Sequence, residues 1–146
     1  MKRILHVLIN VALCALAVVV FLAVFGSSRD TTPHPLADKT FTIHGRPTTC
    51  STLFGQACDY SLQSEYNRWG NGLESFVESS PLGSYATDIG FVASAKLSLQ
   101  ACGLARTAGK TVLEFEALAR REHPDATSAQ LFPFWNRTRQ GLCPKR

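Results

Sequence analysis

The sequence lacks the short motifs that identify many enzyme active sites. It contains no GxSxG, SxxK or HExxH motif, so it indicates neither a serine nucleophile nor a helix-borne zinc site. Gly103 and the later Gly109-Lys110-Thr111 approach a phosphate loop, but their spacing is one residue too long and no strand is expected before them. We therefore expect a protein that is not an enzyme and needs no cofactor.

Metal-binding patterns are absent as well. No CxxC pair and no cysteine–histidine pair has the spacing of zinc ligands. Three of the four histidines stand in proline-rich or turn contexts typical of solvent-exposed imidazoles: His34, His44 and His123. Glu74 and Glu78 share a helix face as paired acid–base carboxylates would, but such i,i+4 pairs are more typical of a solvated surface. The sequence therefore predicts no metal site and no catalytic residue.

Formal charge is absent from residues 4–25, which are almost entirely apolar. A helix of this length would extend about 33 Å, close to the ~30 Å hydrocarbon core of a bilayer. Lys2 and Arg3 precede the run, which places the N-terminus in the cytoplasm. The apolar run is longer than the core of a secretory signal, and the cleavage positions after it fit poorly. We predict that residues 1–26 are a retained signal-anchor whose partner is the lipid bilayer, with the rest of the chain extracytoplasmic.

The remaining chain divides by composition into a spacer and one domain. Residues 27–48 are rich in Ser, Thr and Pro, which is typical of a spacer. Within them Phe41 and Ile43 alternate with threonines, so we expect a short extended segment that docks on the domain. Residues 49–146 are long enough for one small domain.

Helical periodicity dominates residues 49–146 and predicts an all-α bundle. The expected helices cover about residues 59–69, 73–78, 85–106, 112–122 and 128–142. The turn Gly70-Asn71-Gly72 is expected to separate the first two, and Ser84 to cap the third. That third helix is apolar or small nearly all round, which is typical of the central helix of a bundle.

The last two helices carry clear start signals. Thr111 with Glu114, and Thr127 with Gln130, match the capping-box spacing. Pro133 is expected to kink the last helix or to delay its start.

Basic residues concentrate towards the C-terminal end. Residues 120–146 carry six basic and two acidic side chains, a formal charge of +4. Such a segment could contact anionic lipid or an acidic envelope polymer, although a solvated basic face is the simpler interpretation. Nucleic acid is not an expected partner, because the compartment is wrong and no basic–aromatic nucleic-acid motif is present.

One aromatic and basic cluster stands out within the last predicted helix. Helical spacing puts some of its rings outside a single apolar stripe, so two interpretations remain open. The rings pack in the core, or the cluster forms an amphipathic surface that contacts lipid or a partner. Its members are Phe132, Phe134, Trp135, Arg137 and Arg139.

Four cysteines follow the apolar run, and an even number in a small exported domain predicts two disulfides. Three pairings of Cys50, Cys58, Cys102 and Cys143 are possible. A bridge between the first two requires the backbone to turn between them, because in one helix they would lie about 12 Å apart.

Residues 84–144 resemble a family of small secreted helical domains of unknown function from mycobacteria and their relatives. The matching residues are Cys102, Gly109, Thr111, Ala129 and Cys143-Pro144. The resemblance implies an exported helical fold with one disulfide and no known catalytic residues. Together with the nearness of the cysteines in sequence, it favours pairing Cys50 with Cys58 and Cys102 with Cys143.

These features predict a membrane-anchored, non-catalytic binding or structural module of a bacterial cell envelope. Its partner would be an envelope protein, lipid or polymer, in an actinobacterium or a phage that infects one. The alternative is a phage-encoded lysis accessory that disrupts the envelope beside an endolysin and a holin. Such a protein would need an anchor, a spacer and a helical module, and all three are predicted here.

Overall fold

Five α-helices and one β-hairpin make up the part of the chain that the computed structural model describes, residues 36–79 and 82–144. The elements in chain order are β1 (Phe41–Ile43), β2 (Arg46–Thr48), α1 (Cys50–Phe54), α2 (Tyr60–Glu78), α3 (Ser84–Arg106), α4 (Val112–Glu122) and α5 (Ser128–Gly141). The predicted mostly helical domain with two disulfides is confirmed.

The predicted signal-anchor, residues 1–26, and residues 27–35 of the predicted spacer lie outside the described residues. Among the residues that are described, no helix is both long enough and apolar enough to cross a membrane.

Helix α3 lies at the centre of the bundle, as its uniformly apolar or small surface predicts. It packs against α1, α2, α4 and α5. Leu97, Leu99 and Ala101 are fully or almost fully buried, and even the small polar Ser94 and Ser98 have no exposed surface. The buried faces of such a central helix need apolar or small side chains, because long polar ones would be desolvated there.

Helix α2 is continuous from Tyr60 to Glu78, so the predicted turn at Gly70-Asn71-Gly72 is wrong. The Phe41 ring lies directly against the backbone of Gly70, where a Cβ atom would collide with it. The absence of a side chain at Gly70 therefore allows β1 to approach α2 closely. Leu73, which follows, is fully buried and keeps the apolar face of the helix intact across the glycines.

The start of α3 also differs from the prediction. Ser84 is the first helical residue and not the cap. The capping position is occupied by Gly83, which has no side chain to accept a hydrogen bond from the helix. Gly90 then has φ of 79° and ψ of 171°, which kinks the helix near its start. Such a positive φ is readily adopted only by glycine. The Ser94 hydroxyl donates to the Ala86 carbonyl oxygen at 2.9 Å and joins the two sides of the kink.

Both predicted capping pairs are present. Glu114 accepts a hydrogen bond from the backbone N–H of Thr111 at 2.8 Å, and hydrogen bonds from Thr111 lower the pKa of this carboxyl. Gln130 likewise accepts from the backbone N–H of Thr127 at 2.9 Å. Helix α5 begins at Ser128, so Pro133 lies inside it and does not delay its start.

Residues 36–48, placed in the spacer by the sequence, instead belong to the domain's compact unit. Strands β1 and β2 pair antiparallel around the turn His44-Gly45, where both residues have positive φ. Positive φ at both central residues gives a two-residue turn whose twist matches that of the two strands it joins. Ile43 is buried, and the Tyr66 hydroxyl donates to the Thr48 carbonyl oxygen at 2.6 Å. The extended segment at Phe41–Ile43 therefore docks as expected, with a second strand beside it.

The two disulfides join the favoured pairs. Cys50 and Cys58 have Cα atoms 6.2 Å apart and connect α1 to the start of α2. The chain turns between them at Gly55, which ends α1 in the left-handed conformation. Cys102 and Cys143 have Cα atoms 5.8 Å apart and connect α3 to the segment after α5.

Candidate functional site

A surface groove follows α2, the C-terminal end of α3 and the segment after α5. Its main cavity has a volume of about 690 Å³, and a second cavity of about 330 Å³ shares Ala105 and Lys110 with it. We call the two together the basic groove, because the cations that line it are Arg68, Arg106, Lys110 and Arg139.

The basic groove has an excess of positive charge. No Asp or Glu lines either cavity. The guanidinium of Arg106 is paired with the Glu65 carboxylate at 3.0 Å. Within residues 36–79 and 82–144, no carboxylate oxygen lies within 4.0 Å of Arg68, Lys110 or Arg139. Three unpaired cations lining one depression favour the approach of an anion.

Contacts to the buried Glu65 carboxylate hold the wall of the groove that α2 provides. The Glu65 side chain is buried, and its carboxylate accepts a hydrogen bond from the Trp69 indole nitrogen at 3.0 Å. The same carboxylate holds Arg106 from α3. Glu65 therefore fixes one aromatic and one cationic residue of the groove in a single arrangement.

The Cys102–Cys143 disulfide holds the opposite end of the lining. Cys143 and Pro144 both line the main cavity, and Cys143 is covalently bonded to the buried Cys102 of α3. Backbone hydrogen bonds from Leu142 and Cys143 to the Thr138 carbonyl oxygen, at 2.9 and 3.2 Å, hold the same segment. The disulfide is therefore the covalent part of what fixes this end of the groove beside α3.

The structure divides the predicted aromatic and basic cluster of α5. Phe134 and Trp135 are buried and pack on Phe115, with ring centroids 6.1 and 5.3 Å apart, so the core interpretation holds for these two rings. Phe132 is 50% exposed and lines the second cavity of the groove.

The two arginines of that cluster also differ from each other. Arg139 lies 5.4 Å from the centre of the Trp135 ring, a cation–π contact, and lines the groove. Arg137 is exposed, lies beside Gly83 and lines neither cavity. Of the five predicted contact residues, the basic groove therefore exposes Phe132 and Arg139 and includes part of Trp135.

Sequence reasoning missed the other cationic residues of the groove. Arg68 and Arg106 are separated by 38 positions and come together only because α2 packs on α3. Lys110 belongs to the near match to a phosphate loop in the sequence, and in the structure it follows α3 in the loop that borders both cavities. No local motif identifies this set.

A second cluster forms where the hairpin turn meets the end of α2. The His44 Nε2 atom lies 2.7 Å from a Glu78 carboxylate oxygen, and the His44 backbone N–H donates to Glu74 at 2.9 Å. His44 and Glu78 are exposed, as expected, but the sequence did not predict that these side chains contact each other. The two carboxylates do share a face of α2, and that face carries the hairpin turn.

The basic groove is lined by cationic and aromatic side chains, which can contact an anion. Neither cavity is lined by a histidine or a carboxylate, the side chains that most often act as general acids and bases. Its one cysteine is in a disulfide and has no thiol.

Known protein families, characterised proteins and solved structures were compared with the chain, and none matches. The resemblance of residues 84–144 to the mycobacterial family stays a prediction.

Proposed function

We propose that this chain is a membrane-anchored, extracytoplasmic and non-catalytic binding module of a bacterial cell envelope. Its ligand is the anionic phospholipid surface of the membrane that holds its anchor. The observation that carries the proposal is the basic groove, which has three unpaired cations and the half-exposed Phe132 along its edge.

The chain length between anchor and domain favours this ligand over more distant ones. Only residues 26–35 separate the predicted apolar run from the first described residue. Ten extended residues reach at most about 35 Å, so the domain would stay within that distance of the bilayer. Lipid phosphates therefore lie within reach of the domain.

The energies are sufficient for a tethered protein. Each Lys or Arg near an anionic membrane contributes about 1 kcal/mol, so three unpaired cations contribute about 3 kcal/mol. Insertion of Phe132 between headgroups would add apolar burial. The anchor supplies the high local concentration, so this weak attraction is enough to keep the groove on the surface.

The test uses the full chain reconstituted in vesicles of phosphatidylcholine, a fixed fraction of which carries a headgroup quencher, with or without added unlabelled phosphatidylglycerol. Trp69 lines the main cavity and Trp135 the second, so tryptophan fluorescence reports contact between groove and headgroups. We expect strong quenching with the anionic lipid at low salt and weak quenching at 0.5 M salt, because salt screens these charges.

The variant Lys110→Glu with Arg139→Glu should lose most of the quenching. The matched control, Lys39→Glu with Arg121→Glu, changes the net charge equally at exposed positions outside the groove and should behave as wild type. Equal quenching in both variants, or no dependence on anionic lipid, would contradict the proposal.

The lysis-accessory hypothesis uses the same predicted anchor and spacer and stays a prediction. A dye trapped in the same vesicles tests it separately. Rapid dye release by the wild-type chain would favour membrane disruption, whereas intact vesicles with quenched tryptophans are the result expected for a binding module.

A further inference from the structure

The His44, Glu74 and Glu78 side chains converge from two parts of the chain that are at least 30 positions apart. One ligand atom of each lies within 4.8 Å of the others. The two glutamates are four residues apart on the last turns of α2, and the imidazole comes from the turn between β1 and β2. The three groups therefore meet because the hairpin is docked on α2.

The histidine is held in place before any ligand arrives. Its ring packs against Phe91 of α3 with centroids 4.5 Å apart, and its backbone N–H is bonded to Glu74. Of the three side chains, only Glu74 is half-buried, and the other two are exposed to solvent. The cluster is thus anchored on one side and open on the other, so an ion could enter from water.

The charges of the cluster are not balanced by permanent cations. Within the described residues, no Lys or Arg nitrogen lies within 4.0 Å of the Glu74 or Glu78 carboxylate. Like charges at i,i+4 on a helix repel and destabilise it. A divalent cation between the two carboxylates would convert this repulsion into attraction.

We propose that His44 Nε2 and one carboxylate oxygen each from Glu74 and Glu78 bind a Zn²⁺ ion, with water as the fourth ligand. One imidazole nitrogen with carboxylate oxygens suits zinc, whereas Mg²⁺ and Ca²⁺ favour sites made of oxygen alone. This site is independent of the basic groove and of the function proposed for it.

The geometry requires only small side-chain movements. Zinc bonds to nitrogen and oxygen are about 2.0–2.2 Å, so neighbouring ligands of a tetrahedral ion lie roughly 3.4 Å apart. The three ligand atoms lie within 4.8 Å of one another, so no separation has to shorten by more than about 1.4 Å, and the His44–Glu78 contact at 2.7 Å opens to roughly 3.4 Å. The ion replaces the hydrogen bond between His44 and Glu78, and a proton on Nε2 is released to solvent when the metal binds.

The test measures zinc binding by calorimetry and thermal unfolding of the full chain in detergent micelles. We expect one Zn²⁺ per chain and a rise of several degrees in the unfolding midpoint, because the ion joins the hairpin to α2 only in the folded state. Mg²⁺ at the same concentration should leave the midpoint unchanged.

Variants at two of the three ligands, His44→Asn and Glu78→Gln, should each abolish the zinc-dependent rise. His44→Asn keeps a residue that tolerates positive φ, and Glu78→Gln keeps the side-chain shape. His123→Asn and Glu122→Gln are the controls and should bind zinc as wild type does. The intensity of the visible absorption of bound Co²⁺ gives a second measure, because a tetrahedral site absorbs strongly and free Co²⁺ weakly. Zinc binding that persists in both ligand variants, or that is absent from the wild type, would overturn the proposal.

Discussion

At the scale of single residues, Tyr66 shows how a buried polar group joins two elements. Its side chain is fully buried in α2, and its hydroxyl donates to the carbonyl oxygen of Thr48 at the end of β2. Burial, and then the charge of Asp38, raise the pKa of Tyr66 to about 12. The neutral phenol is therefore part of what keeps the hairpin docked.

This raised pKa predicts a loss of stability in alkaline solution. An unfolded tyrosine ionises near pH 10, whereas Tyr66 in the folded state ionises near 12. Between these values the unfolded state binds fewer protons than the folded state, so the free energy of unfolding falls as pH rises. Thermal unfolding followed by circular dichroism at pH 8 to 12 measures this fall.

Tyr66→Phe should lower stability at neutral pH by about 1–2 kcal/mol, because the Thr48 carbonyl loses a buried partner. The same variant should show a smaller alkaline fall than wild type. Tyr60→Phe removes a hydroxyl from a residue that is 65% exposed, and it should keep the full alkaline fall. An identical pH profile for both variants would show that Tyr66 does not carry the effect.

At the scale of elements, the contact between Phe41 and Gly70 decides how β1 meets α2. In Gly70→Ala the new Cβ would displace the Phe41 ring, so we expect a net loss of about 1–3 kcal/mol. This loss would occur despite the gain of up to ~1 kcal/mol that alanine brings to a helix. Denaturant unfolding measures the difference.

Gly72→Ala is the matched control two residues away. Nothing lies within 4 Å of its Cβ position, so the helix gain should appear alone and stabilise the chain by up to ~1 kcal/mol. A stabilised Gly70→Ala variant would show that the Phe41 ring adapts without cost.

The same contact explains where sequence reasoning failed for α2. The glycines at 70 and 72 look locally like a turn, but a contact with Phe41, 29 positions earlier, requires the first of them within a helix. Signals that act within a few residues, such as the capping pairs of Thr111 and Thr127, predict the structure correctly. Features made by distant segments, including the basic groove and the His44 cluster, have no local signal and could not be predicted.

At the scale of the whole molecule, the two disulfides differ in the length of chain they close. On the loop-entropy model, the Cys102–Cys143 bond over a separation of 41 contributes about 4 kcal/mol, and the Cys50–Cys58 bond over 8 about 2.6. Either contribution is large beside the total stability of a small domain.

Replacing Cys102 and Cys143 by serine should therefore lower the unfolding midpoint more than replacing Cys50 and Cys58. Only the replacement of Cys102 and Cys143 should also weaken the quenching of tryptophan fluorescence by anionic vesicles, because Cys143 lines the basic groove. A midpoint that does not change when the wild-type chain is reduced would exclude a stabilising role for both bonds.

The bonds around Asn67 have a mechanical consequence. Asn67 donates to the Ala37 carbonyl oxygen at 2.6 Å and accepts from the Lys39 N–H at 3.2 Å, which fastens the entering chain to the middle of α2. A pull on the chain from its N-terminal side would therefore load these few hydrogen bonds first. We expect the hairpin to peel away under tension, while the covalent loop from Cys102 to Cys143 keeps the helices beside the groove together.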